Sequence, residues 1–243
     1  MNLVVDAGNT RMKYAFFDEN RFVEAKYQAD ELFEDIGRWK ETATGLHILL
    51  SGSGRVPEGT RMLLKELADS FWEASPQMKL PLQLGYATPQ TLGFDRIANC
   101  VGAMRFYPGC PLLVIDSGTC ITYNYVSDGG IFLGGNISPG LEMRFRGLHQ
   151  YTARLPYVSP DENYGGMGRT TEEAIRNGVM DGMLFEVENY IRHFKETFQN
   201  AEVIITGGNS HFLKSYLNSG ILFCEILGFL GLNEILQYTK KFN

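Results

Sequence analysis

Cysteine is scarce. The 243 residues include four, at 100, 110, 120 and 224, with no CxxC pair and no Cys/His cluster at zinc-binding spacing. That excludes a disulfide scaffold and a zinc module, and a chain of this length buries a core without covalent staples. The thiols are therefore expected to be reduced and the protein cytoplasmic. Long hydrophobic runs are missing too. None approaches the roughly 20 residues of a membrane span, and an acidic residue at position 6 interrupts the first apolar stretch, so no secretory leader and no membrane partner are expected. Positive charge is not in excess: 22 Lys and Arg stand against 28 Asp and Glu, a net charge of -6. A nucleic-acid partner thus has no electrostatic support, and an anionic substrate needs locally placed cations. There is no GxxxxGK[ST], and Ser51-Gly52-Ser53-Gly54 runs on into Arg55-Val56-Pro57, which leaves GxGxxG incomplete.

What is present is an ordinary globular balance, 44% hydrophobic and 21% charged, with a repeated pattern. Residues 2–5 are apolar and β-branched, 6–10 are turn-prone and 13–17 are apolar again, which predicts a hairpin. Helices are predicted over about 29–41, 59–74 (Met62, Leu63, Leu67 and Phe71 on one face) and 93–106. The pattern then restarts. Strand 112–115, turn Asp116-Ser117-Gly118-Thr119 and strand 121–126 repeat the opening, followed by a short strand at 131–133. A long amphipathic helix is predicted over 171–198, with Gly178 and Gly182 as weak points, then strand 203–206, helix 211–217 and a last helix over about 230–240. Asp6-x-Gly8-Asn9 and Asp116-x-Gly118-Thr119 share one context 110 positions apart, which implies two copies of one α/β unit. The expected division is 1–110 and 111–243, two packed halves with no low-complexity linker.

A single D-x-G is common turn chemistry. Two in matching context point to nucleotide phosphates. Glycine lets backbone N–H groups approach an anion, and the aspartate at the strand end can hold a cation directly or through water. The first copy offers Asp6, Gly8, Asn9, Thr10 and Lys13; the second offers Asp116, Gly118, Thr119 and Thr122. Thr206-Gly207-Gly208-Asn209 closes a late strand, where glycines would let an adenosine lie against the backbone.

Several motifs now stand in order: Asp6-Ala7-Gly8-Asn9-Thr10-x-x-Lys13, Gly93-Phe94-Asp95-Arg96, Asp116-Ser117-Gly118-Thr119 and 134–140 (GGNISPG). They are followed by 152–156 (TARLP), Gly168-Arg169-Thr170-Thr171 and Thr206-Gly207-Gly208. The ordered set, spanning nearly the whole chain, resembles the type III pantothenate kinases. The resemblance implies an α/β fold of two actin-like (ribonuclease H-like) halves with a nucleotide cleft between them. It implies ATP-dependent phosphorylation of pantothenate, the first step towards coenzyme A, by a homodimer that needs potassium or ammonium as well as Mg²⁺ with ATP. By matching position, Asp6, Ala7, Gly8, Asn9, Thr10, Arg11, Met12 and Lys13 would bind ATP phosphate, with Thr119 a further ATP contact. Asp116 would hold the monovalent cation. Tyr86, Gly93, Phe94, Asp95, Arg96 and Thr171 would bind pantothenate, and Asp95 would be the proton acceptor. Cys120 stands where the family often has Ala, a small-for-small change.

The chemistry of these residues agrees. Phosphoryl transfer is mostly positioning and electrostatics. An ionised Asp95 can take the proton of a primary hydroxyl, and Arg96 can meet a carboxylate with two parallel N–H groups, as Lys cannot. The plainer alternative is an Asp-Arg pair at a helix start. Thr170 with Glu173 reads as a capping box, compatible with a ligand contact at Thr171. Arg105, Arg144, Arg146 and His149 read as structural or solvated, and Phe185, Phe194 and Phe198 as core or dimer interface. Two other functions stay open at this point: a sugar or carboxylic-acid kinase of the same fold, and a non-catalytic nucleotide-binding regulator. The second has no need of a base and a carboxylate clamp side by side.

Overall fold

The computed structural model describes residues 1–8, 11–52, 56–161, 164–217 and 220–242. Contacts divide the chain into two compact units, Met1–Pro108 with Gly129–Leu133 and Ile226–Asn243, and Gly109–Asp128 with Gly134–Glu225. The first crossing lies between Pro108 and Gly109. The chain then returns to the first unit twice, because a strand segment and the last helix find their packing partners there.

The first unit holds a five-stranded sheet. Its strands are β1 (Asn2–Ala7), β2 (Met12–Asp18), β3 (Arg21–Lys26), β4 (His47–Gly52) and β5 (Ser70–Glu73), in the order β3-β2-β1-β4-β5. Strand β1 pairs antiparallel with β2, Asp6 opposite Lys13, and parallel with β4. Both faces are covered, so the central strands read as continuous apolar runs rather than alternating ones. Leu3, Val5, Ile48 and Leu50 pack with Leu32 and Ile36 of α1 (Leu32–Lys40) and Leu64 of α2 (Glu58–Leu67). On the other face α7 (Leu227–Lys240) lies against β1 and β4, and α3 (Phe94–Met104) packs along α7. One helix predicted over 59–74 is instead helix α2 followed by strand β5. Phe71 sits opposite Ile48 in parallel pairing, because the open edge of β4 takes up the backbone of 70–73 and its aromatic side chains suit a pleated surface. Strand β3 and β6 (Gln83–Leu84) were not anticipated.

In the second unit, β7 (Leu112–Ser117), β8 (Cys120–Val126), β9 (Ile131–Pro139), β10 (Glu202–Thr206) and β11 (Leu222–Phe223) stand in the order β11-β10-β7-β8-β9. The repeat is structural. Asp116 pairs across the β7–β8 hairpin with Thr122 as Asp6 pairs with Lys13, and β7 is parallel to β10 as β1 is to β4. The core packs these strands against α5 (Thr171–Thr197), which buries Ile175, Val179, Met183, Val187, Ile191 and Phe194. That apolar stripe carries α5 unbroken past Gly178 and Gly182. Strand β9 runs to Pro139 rather than stopping at 133, and its first residues pair with β6 in the first unit. Helix α4 (Leu141–Gln150), unforeseen, follows it, and α6 (Ser210–Tyr216) follows β10. No helix among the described residues is long and apolar enough to cross a membrane.

Candidate active site

In the first unit the Asp6 loop closes on itself: Gly8 N donates to the Arg11 carbonyl at 3.1 Å. Lys13 places Nζ 3.6 Å from Asp6 Oδ2 across the hairpin. Burial raises the Asp6 carboxyl above the usual aspartate range; Lys13 pulls it back, and the negative charge of Asp95 pushes it further up. That coupling brings the proposed proton acceptor and the phosphate hairpin into one electrostatic neighbourhood. Ala7 is buried, Met12 packs on the core and Arg11 is exposed. Asn9 and Thr10 lie outside the described residues, as do positions 53–55 of the glycine-rich stretch.

Gly93 is the N-cap of α3, and Asp95 stands in the first turn. Asp95 Oδ1 accepts from Arg96 N at 2.9 Å, and a Cβ on residue 93 would overlap that oxygen. Glycine at 93 is therefore what lets the carboxylate fold back over the helix start. Arg96 turns the other way. Only 6% exposed, it places its guanidinium carbon 5.9 Å from the Tyr86 ring centre and 5.5 Å from that of Phe132. Phe94 is 7% exposed, so what it can offer a ligand is backbone. Tyr86, Gly93, Asp95 and Arg96 thus lie together around the start of α3. Phe132 belongs with them and was missed, since nothing in its local sequence marks it.

In the second unit three motifs converge on the second D-x-G loop. Gly118 N donates to the Cys120 carbonyl at 3.0 Å, and Asn209 donates from its backbone N to the Ser117 carbonyl at 2.9 Å and from Nδ2 to the Gly118 carbonyl at 3.2 Å. Gly207, at φ +94°, presses on Asp116 Oδ1 and the Ser117 carbonyl so closely that a side chain there would overlap both. Gly140 approaches the Gly118 and Thr119 carbonyls in the same way. Asn209 and Gly140 brace the second D-x-G loop, a part that sequence reasoning did not assign to them. The described residues contain no cluster of three His, Cys, Asp or Glu side chains. A cation at Asp116 would accordingly be held by one carboxylate with carbonyl and hydroxyl oxygens, a hard-ion donor set that fits potassium and not a transition metal.

Thr171 opens α5 and is exposed on the second unit. Its neighbour Thr170 caps the helix, accepting from Glu173 N at 3.2 Å while Glu173 Oε2 accepts from Arg169 N at 2.7 Å. The remaining cations have structural partners. Arg144 donates to Glu186, Ser138 and the Pro139 carbonyl, Arg146 pairs with Glu142, and Arg105 with Glu234. His149 Nδ1 lies 2.9 Å from the Leu155 carbonyl. Phe194 is core, whereas Phe185 is 66% exposed.

The family model described as type III pantothenate kinase matches residues 2–193. A type III pantothenate kinase of Christiangramia forsetii is 37% identical over 242 residues, covering 99% of both chains. One of Bacteroides fragilis is 38% identical over 240 residues at the same coverage. Among solved structures, a Campylobacter jejuni protein described as of the Baf family of transcriptional activators aligns with a TM-score of 0.60 at 22% identity, over 98% of this chain and 99% of that one. The activator of the 2-hydroxyisocaproyl-CoA dehydratase from Clostridium difficile aligns with a TM-score of 0.55 at 14% identity, over 99% and 96%. These structures share the fold, an actin-like α/β architecture.

Proposed function

The chain belongs to the type III pantothenate kinase family, and from that premise we propose how its own residues carry the reaction. It is a phosphotransferase that phosphorylates pantothenate with ATP to 4'-phosphopantothenate, the first step of coenzyme A biosynthesis. In our reading the hairpin 6–13 binds ATP phosphates, Thr119 contacts ATP, and Tyr86, residues 93–96 and Thr171 hold pantothenate. Asp95 accepts the proton of the acceptor's primary hydroxyl as that oxygen bonds to the γ-phosphorus. The electron pair of the breaking P–O bond leaves with ADP. Mg²⁺ bound with ATP supplies charge neutralisation on the phosphates, and Asp6 is the residue suited to it. Asp116 would hold potassium or ammonium, whose charge would add to that of Mg²⁺ near the phosphates. The protein acts in the cytoplasm as a homodimer.

The observation that carries this reading is the divergence at the start of α3. Over a bare Gly93, the Asp95 carboxylate folds back on the helix N-terminus, while the neighbouring Arg96 guanidinium lies against the edge-to-face pair of Tyr86 and Phe132. One residue is set for a proton and the next for an anion. A coupled ADP-release assay tests it. Pantothenate should support turnover where a panel of sugars does not, and Asp95→Asn should lower kcat by about 10²–10⁴-fold with ATP binding retained. Near-normal turnover in that variant removes Asp95 as the base. The same assay in sodium-only buffer should lose most of its rate; equal rates in sodium and potassium would remove the monovalent ion from the scheme.

A further inference from the structure

Resting on the reading of Arg96 as the clamp for the acceptor's carboxylate, we propose that Phe132 is a positioning residue for that clamp. It sets acceptor affinity without touching the acceptor. Phe132 lies on β9, in the short segment that returns to the first unit, and is fully buried. The Arg96 guanidinium sits over its ring at 5.5 Å and over Tyr86 at 5.9 Å, and the two rings meet edge to face at 5.8 Å and 73°. A planar cation that lies against two rings set edge to face stays within reach of both only over a narrow range of orientations. A long side chain that otherwise explores many rotamers is thereby fixed.

The backbone around Phe132 holds this geometry. Leu84 of β6 pairs in register with Phe132, and Gly85 N donates to the Phe132 carbonyl at 2.9 Å. A Cβ on residue 85 would stand 3.0 Å from that carbonyl and 3.1 Å from Ile131 Cγ2. A side chain at 85 would crowd β9, so its absence eases the close approach of the segment leading to Tyr86, whose ring meets that of Phe132. Tyr86 and Arg96 come from the first half of the sequence. The second ring comes from the third strand of the repeated hairpin unit, so the clamp is complete only when β9 has docked beside β6.

Pantothenate is the probe, and Phe132→Leu is the variant, since it keeps an apolar side chain and removes the π face. The KM for pantothenate should rise about 3- to 30-fold, the range a lost cation–π face corresponds to, with the KM for ATP unchanged. Arg96→Lys should raise the pantothenate KM too, and the double variant should cost less than the product of the two. In the wild-type enzyme, NMR of the Arg96 guanidinium should show ring-current-displaced Hε and Hδ signals, a measurement that does not depend on how the variant folds. If Arg96→Lys raises the pantothenate KM while Phe132→Leu lowers only Tm, or if the wild-type Arg96 signals are undisplaced, Phe132 is ordinary core and the proposal falls alone. If Arg96→Lys leaves the pantothenate KM unchanged, the clamp reading fails and takes the proposal with it.

Discussion

Asp6 is a residue whose burial works against its charge. Its carboxyl is raised above the value it has in the unfolded chain, chiefly by burial and secondarily by Asp95, with Lys13 opposing. A raised carboxyl binds its proton more tightly folded than unfolded, so ionisation costs the apo fold stability above the folded pKa. That cost is relieved as pH falls through the folded value towards the unfolded one. Asp6→Asn should therefore melt higher than the wild type at neutral pH in the absence of nucleotide. The difference in Tm should shrink as pH is lowered into the carboxylate range. A variant that melts lower than the wild type at pH 7 would show that the Lys13 pair outweighs burial. The residue scale also shows where sequence is mute. Asp6, Asp95 and Arg96 announce themselves by type and spacing, but Phe132 is one of 16 phenylalanines, and only its position under a guanidinium distinguishes it.

At the scale of elements, α5 depends on its start. Thr170 Oγ1 accepts from Glu173 N and Glu173 Oε2 from Arg169 N, one residue before the cap, and Gly168 sits against Ala174 N so closely that a side chain there would overlap the first turn. Thr170→Ala should cost about 1 kcal/mol, read as a fall in Tm of about 2–4 °C, with turnover kept if Thr171 and not Thr170 contacts the substrate. Thermal melting and the ADP-release assay on one sample separate the two effects. The capping box was legible because its pattern is local. The misreading of 59–74 as one helix has the opposite cause. Residues 70–73 have no strand signal that outweighs the preceding helical period, and their state is decided by the edge of β4, a partner about twenty positions upstream.

At the scale of the molecule, Ile137, Met143 and Phe185 are exposed to 64, 41 and 66%. Each precedes a member of the Ser138–Arg144–Glu186 network, in which Arg144 Nη2 donates to Ser138 Oγ at 2.9 Å and to Glu186 Oε2 at 2.5 Å. We propose that these exposed apolar side chains belong to a homodimer surface. Phe185→Glu should shift the molar mass measured by light scattering from twice that of the chain towards a single chain. An unchanged dimer would place the interface elsewhere.

The sequence by itself determined the duplicated hairpin, the α/β class, the D-x-G loops and the adjacent Asp95 and Arg96, because each is written in residues a few positions apart. Tertiary structure alone decided which glycines had to be bare, that β9 lends Phe132 to the first unit, and that the last helix packs on the first sheet. Those outcomes depend on which surfaces meet across a hundred positions or more, and a backbone approach or a ring face leaves no trace in the local pattern of apolar and polar residues.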